Sequence, residues 1–507
     1  MIKKLAVWLA VFFVPLFSRA HIGSPNVFYE GLAGPYHVKV IVRPPSVVPG
    51  LAEISVRVLS GGVQRVTVLP VRWDAGKKGA PPPDEAALVR GETNLFNAEL
   101  WVMTSGAYSI FVDVEGAQGS GTTVVPLNSV AVVRLEMPPL LGSALLGMAA
   151  FLFLALVSIV GAAARESVLP AGMQPDRRRL WRARMAMVVA FLVLATGLYG
   201  GQKWWSAADS DYRNNKIFKS DPIETSVHAV GPQRVLRLER EERKWGRRPL
   251  IPDHGKLMHL FLVRDPGMDA FAHLHPVQSR SNIFETVVPS LPAGAYRVYA
   301  DITHESGFTQ TLTSKVQLAE AMVASPVTDS PMAPDPDDSW CVGPPRGSGA
   351  SPPSFRGQQV STLEDGFAMK WTRPERILPN REVTLQFQVV ETNGQPAKLE
   401  PYMGMQAHAA IQRDDGAVFT HLHPFGTISM ASQQRFVERE QRVAPNRKTL
   451  EIVCGLPPAD DFISFPYEFP QAGRYRIWVQ VKVRGKILTG IFDAAVEEER
   501  QARQSRR

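Results

Sequence analysis

The chain has 507 residues, of which 45% are hydrophobic and 21% charged, too long and too apolar for a disulfide-stapled mini-protein or a disordered chain. At about 150 residues per domain, its length allows roughly three units. A net charge of +8 does not by itself imply nucleic acid, and two cysteines exclude a disulfide scaffold, a four-cysteine zinc site and iron–sulfur ligation.

The N-terminus reads as a secretory signal over residues 1–20. Lys3 and Lys4 precede an uncharged apolar stretch, and Ser18 and Ala20 are the small residues a cleavage site needs. Cleavage there would leave His21 first. Residues 138–164 form an uncharged apolar run long enough to cross a bilayer core of ~30 Å. Residues 185–202 form a second, near the minimum length. The intervening segment, 165–184, carries Arg165, Arg177, Arg178, Arg179, Arg182 and Arg184, and short Arg-rich loops stay cytoplasmic. Trp204 and Trp205 would meet the opposite interface. The expected topology is therefore a bacterial inner-membrane hairpin with the N-terminal and C-terminal domains in the periplasm. These arginines serve topology, so no nucleic-acid partner is needed to explain the charge.

Residues 21–137 alternate apolar and polar in short runs with Gly/Pro punctuation, as in an antiparallel sandwich. Two further sandwiches are expected at 203–320 and 358–497, separated by a Pro/Gly/Ser/Asp-rich linker at 321–357 whose composition does not bury enough surface to order itself. A charged tail, 498–507, ends the chain. The two units repeat one pattern. His259 is followed by Phe271, His273, His275 and Pro276; His408 is followed by Phe419, His421, His423 and Pro424. Gly294, Tyr296 and Arg297 match Gly473, Tyr475 and Arg476 further on. The second unit carries about 30 extra residues between these blocks, including Cys454. The fold class expected is mainly β: three extracytoplasmic immunoglobulin- or cupredoxin-like sandwiches with a two-helix transmembrane hairpin.

In the second unit, Asp415-Gly416 is a strong two-residue hairpin signal. A turn there sets His408 opposite His423, with His421 on the same face because side chains alternate along a strand. In the first unit a three-residue loop at 266–268 gives the same pairing of His259 with His275, and His273 joins them. Each hairpin thus gathers three imidazoles, a donor set suited to copper or, alternatively, zinc. The competing readings are hydrogen-bonded core histidines and proton-linked chemistry. Met405 is a weaker ligand candidate, since alternation turns it away from His408. Asp253, His254 and His304 rank low because the second unit has no equivalents. His21, as a mature N-terminal histidine, could form a copper brace with His37. Cys341 and Cys454 could form a disulfide in an oxidising compartment. No P-loop, nucleophile elbow or His-Glu-x-x-His motif occurs. No general base is evident beside the triplets, so hydrolysis is not supported.

The stretch from Tyr402, Gly404 and His408 to His421, His423 and Pro424, and its looser counterpart from Met258 and His259 to Pro276, resembles the YtkA-like group of secreted bacterial β-sandwich domains. That resemblance covers about 220 residues and implies a cupredoxin-like or copper-resistance-like architecture and an extracytoplasmic, metal-handling role, but no reaction. The resulting expectation is a membrane-anchored periplasmic copper-binding protein for buffering, delivery or sensing, with a periplasmic or membrane protein as partner. The alternatives are a metal-free scaffold of an inner-membrane complex and a copper oxidase built on His21.

Overall fold

The computed structural model describes residues 21–22, 26–170, 172–231, 233–241, 249–320, 333–345, 358–443 and 462–498. The signal segment 1–20, Cys454 and the tail beyond 498 lie outside the described residues. The protein is mainly β, built of antiparallel sheets, with two long apolar helices.

Two compact units are present. The smaller holds residues 46–48 and 130–219. Its helices are α1 (Pro139–Glu166) and α2 (Arg177–Asp211). Both are long and apolar enough to cross a membrane, with mean hydropathies of 2.5 and 1.7 over their most apolar windows. They pack through Gly161, where a side chain would collide with Met187, and through an edge-on Phe153–Phe191 contact at 5.4 Å. Asp176 caps α2 by accepting from the Arg179 backbone N–H at 2.8 Å. Five of the six arginines expected in the loop therefore occupy the first turns of α2, and the connection itself is shorter than the sequence suggests.

The larger unit carries three sandwiches. The N-terminal one pairs a five-stranded and a four-stranded sheet around a Val-rich core that includes Val38, Val56, Val68 and Val112. In the first histidine-bearing sandwich, the strands that matter are β1 (His259–Arg264), β2 (Ala270–Leu274) and β3 (Gly294–His304), with β4 (Ser339–Val342) at the sheet edge. Their counterparts in the second are β5 (His408–Arg413), β6 (Val418–Leu422) and β7 (Gly473–Val483). A helix, α3 (Met430–Val443), follows β6 and occupies part of the extra length of the second unit. Tyr296 donates to the Pro292 carbonyl (2.8 Å) and Tyr475 to the Gln471 carbonyl (2.7 Å), the tyrosine-corner bond of sandwiches in both copies.

Both hairpins have the expected register. Phe261 pairs with His273 and Leu260 with Leu274; Ala410 pairs with His421 and Ala409 with Leu422. The second reversal differs in detail. Gly416 donates to the Arg413 carbonyl at 2.9 Å, so Asp414 and Asp415 are the central residues. Neither has the positive φ that a type I′ turn requires, and only Gly416 is left-handed (φ 71°). The register survives because the reversal keeps the same number of residues.

The linker expectation fails over 333–345. Here β4 adds to β2, with Ser339 opposite His273 and Cys341 opposite Phe271. The free edge of β2 supplies backbone partners that low hydrophobicity alone would not.

The two histidine-bearing sandwiches bury one face of each hairpin against the other. Period-two alternation sends Leu260, Leu262, Ala409 and Ile411 into their own cores, and Phe261, Val263, Ala410 and Phe419 into a shared cluster with Phe271, Tyr299 and Trp478. The contacts obey the internal duplication. Phe271 stacks on Trp478 (4.7 Å, 11°), and its counterpart Phe419 stacks on Tyr299 (4.0 Å, 4°). Trp478 is fully buried. Trp478→Ala is expected to cost about 3–5 kcal/mol by cavity formation, read as a lower denaturation midpoint of the full chain; an unchanged midpoint would show that the two sandwiches do not share this core.

Candidate metal centre

The duplication brings the two histidine triplets into one chamber. Within the first unit, the rings of His259, His273 and His275 lie 4.7–5.4 Å apart. Within the second, those of His408, His421 and His423 lie 4.5–5.5 Å apart. Ring contacts also run between the units: His259 to His421 at 5.4 Å, His273 to His421 at 5.5 Å and His273 to His408 at 6.3 Å.

A seventh imidazole completes the set. His254 sits 5.5 Å from His408 and 5.2 Å from His423, although it belongs to the first unit. Among the described residues, two all-histidine groups have ligand nitrogens mutually within 4.8 Å, His259/His273/His275 and His254/His408/His423, and a mixed group, His275/Asp335/Asp338, adjoins the first. His421 stands between the two all-histidine groups. The low rank given to His254 is thus corrected. It does have an equivalent, Met403. Asp253-His254-Gly255 and Tyr402-Met403-Gly404 form the same tight reversal, with left-handed φ of 50° and 79° in one and 48° and 79° in the other. The common spacing from glycine to histidine, Gly255 to His259 and Gly404 to His408, was the signal available in the sequence.

The hydrogen bonds orient the rings. His259 Nε2 donates to the Asp253 carbonyl (3.1 Å), His273 Nδ1 lies 2.9 Å from Gln480 Oε1 and His275 Nδ1 lies 3.1 Å from Asp338 Oδ1. His259 Nδ1 and His273 Nε2 face each other at 3.2 Å. Burial pushes His273 well below the usual histidine range, reinforced by His275, His259 and His421, and burial also lowers His259. Two ligands on a tetrahedral ion with bonds of ~2.0 Å sit about 3.3 Å apart, which matches the separation found. His275 Nε2 is buried with no hydrogen-bond partner.

The second group is built alike. His423 Nδ1 donates to the Ile428 carbonyl (3.1 Å), leaving Nε2 buried and unpartnered. A His254 ring nitrogen bonds the Met403 backbone, and its Nε2 has no hydrogen-bond partner. Neither nitrogen of His408, which is fully buried, has one. Unpaired buried polar nitrogens cost about 1–3 kcal/mol each, and here they converge on one another. The residues present therefore fit a soft or borderline transition-metal ion, and their outward N–H bonds are those that orient metal-bound imidazoles.

Carboxylates surround the chamber, although none was evident beside the triplets in the sequence. Asp301 Oδ2 is 3.6 Å from His421 Nδ1, and burial raises its carboxyl to about 6. Asp338 also accepts from the His275 backbone N–H at 2.7 Å, and burial raises it to about 7. Asp301 and Gln480 occupy equivalent places on β3 and β7, each reaching the histidine of the opposite unit. The 333–345 strap is held by Lys256, which donates to Asp335 (2.6 and 2.7 Å) and lies 3.3 Å from Asp337, and by Tyr402, which donates to the Asp337 carbonyl at 2.9 Å. Gln480 also donates to the Ser339 hydroxyl. Lys256→Ala is expected to weaken this clasp by about 1–2 kcal/mol, seen as roughly tenfold faster amide exchange of Ser339–Val342; unchanged exchange would show that β4 holds without the clasp.

The N-terminal sandwich positions the end of the second hairpin. Glu30 N–H donates to the Phe425 carbonyl (2.8 Å), and Phe425, Ile428 and Met430 pack into the N-terminal core. Gly426 (φ 125°) lies against the Phe28 carbonyl, where a Cβ would overlap it. Gly426→Ala is expected to displace His423 and lower the melting temperature of the full chain; a wild-type melting curve would contradict this.

Met405 and His304 do not join the chamber. Met405 packs into the N-terminal core. His304 is buried elsewhere, its Nε2 2.9 Å from Gln310 Nε2. His21 pairs through its backbone with Val418, at the turn end of β6 and three residues before His421, while His37 binds Glu30 at 3.2 Å. Cys341 packs against the shared aromatic cluster, and burial raises its thiol to about 12.

A family described as a domain of unknown function (DUF8832) matches residues 225–320 and 360–498. The match covers both histidine-bearing sandwiches and neither α1 and α2 nor the N-terminal sandwich. No curated protein matches the chain. Among solved structures, a tetra-tandem repeat from the extending region of a large adhesion protein is 9% identical, covers 89% of this chain and 97% of its own, and has a TM-score of 0.15. Dimeric latent PorU from Porphyromonas gingivalis is 8% identical, with 94% and 34% covered and a TM-score of 0.14. A chimeric titin Z1Z2 tandem is 11% identical, with 55% and 100% covered and a TM-score of 0.12. Similarity at these scores bears on neither ligand nor activity.

Proposed function

We propose that this chain is a membrane-anchored, extracytoplasmic transition-metal-binding protein that buffers, delivers or senses copper. The observation that carries the reading is the convergence of two histidine triads, His259/His273/His275 and His254/His408/His423, each with ring nitrogens mutually within 4.8 Å. Among divalent ions, copper binds nitrogen sites most tightly, which favours it over zinc. Three imidazoles per ion leave a position open for an exchanging ligand, which suits transfer better than permanent closure. Arg177, Arg178, Arg179, Arg182 and Arg184 at the start of α2 favour a cytoplasmic hairpin turn, which would leave the sandwiches on the opposite side of the membrane.

Metal analysis of the full-length chain in detergent, loaded with copper and then desalted, tests the reading. Wild type is expected to retain copper, and His421→Ala/His423→Ala to retain less. Equal copper in both would remove the second triplet as ligands, and no copper in wild type would remove the function.

A further inference from the structure

The two imidazole triads adjoin each other in one buried cluster. His254 and His259 are 6.1 Å apart ring to ring, and His273 and His408 are 6.3 Å apart, so each triad borders the other with no intervening layer. His421 touches both: 5.4 Å from His259, 5.5 Å from His408 and 4.5 Å from His423. Its Nε2 is buried without a hydrogen-bond partner.

Resting on the metal-binding reading, we propose that the chamber is a dinuclear centre: His259/His273/His275 hold one ion and His254/His408/His423 the other, with His421 supplying a further nitrogen between them. The ligands of the second ion come from both sandwiches, since His254 belongs to the first unit and His408 and His423 to the second. Neither repeat alone builds that site. Two adjacent cations repel, and the carboxylates offset this: Asp253 beside His254 (3.6 Å), Asp301 beside His421 (3.6 Å) and Asp338 beside His275 (3.1 Å). Asp253 is fixed by accepting the Ala431 backbone N–H at 3.0 Å, at the start of α3.

The duplication is broken where this proposal needs it. At the reversal before β1 and β5, one copy has His254 and the other Met403. At the shared position on β3 and β7, one has Asp301 and the other Gln480. The two ions therefore sit in unlike surroundings. One triad is joined by Asp338 and Gln480, the other by Asp253, with Asp301 alongside His421.

Copper(II) titration of the full-length chain in detergent, followed by metal analysis and electron paramagnetic resonance, tests this. Two coppers per chain are expected, with a spin-coupled spectrum: either loss of signal or dipolar broadening with a half-field transition. His254→Gln is expected to reduce loading to one copper and to convert the spectrum to that of an isolated ion. Should that variant misfold, X-ray absorption of the doubly loaded wild type provides the second test, through a copper–copper scattering contribution. One copper per chain, or two with isolated-ion spectra, overturns the dinuclear centre while leaving the metal-binding reading intact. No copper at all overturns both.

Discussion

Alanine at both His273 and His408 is expected to lower copper affinity by at least about 100-fold, more than the 10–100-fold usual for losing a group that merely orients a ligand. The pair takes one imidazole from each triad, so each triad is left with two. Both side chains are fully buried, their rings 6.3 Å apart. Asp338→Asn is the graded comparison. It leaves every inward nitrogen in place and removes the charge behind His275, so its loss should fall within the 10–100-fold range. Competition titration against a copper chelator measures all three proteins. Wild-type affinity in the double variant would place the metal elsewhere.

The metal-free chain is expected to lose stability steeply on acidification below pH ~6.5. Burial lowers all seven chamber histidines, and His273, His275, His408, His421 and His423 fall well below the usual range. The unfolded chain then binds protons that the folded chain refuses, so unfolding stability falls as pH drops from the unfolded histidine value toward the lower folded values. Asp338 and Asp301, raised to about 7 and about 6, act in the opposite sense: they take up protons in the folded state over that window. The imidazoles outnumber them, so the net slope keeps the sign the histidines set. Copper binds only deprotonated rings and so should move the loss to lower pH. Denaturant midpoints from pH 7.5 to 5, with and without copper, read both effects. A flat profile in the metal-free chain would mean that the chamber is open to water.

Much of this architecture is legible in the chain. Strict alternation around His259 and His408 decides which residues line each core, and the repeated histidines fix both registers, because a one-residue slip would expose Leu260 and Ile411. The tyrosines after Gly294 and Gly473 mark the sandwich corners. The assembly of the two triplets into one chamber is not legible, because nothing local encodes that Phe271 will stack on Trp478 or Phe419 on Tyr299. The same holds for Asp338 and Ser339. Their polar, proline-rich surroundings read as linker, and they are ordered by the unpaired edge of β2 and by Lys256. His254 was hidden by its replacement with Met403 in the other copy, since a comparison of residue types does not see a conserved backbone reversal.

X-ray absorption at the copper edge of the loaded full-length chain tests the imidazole chamber most directly. Three to four nitrogen scatterers at ~2.0 Å, with the outer-shell scattering of imidazole rings, are the predicted result. Copper surrounded by sulfur, or by oxygen without imidazole scattering, would contradict it.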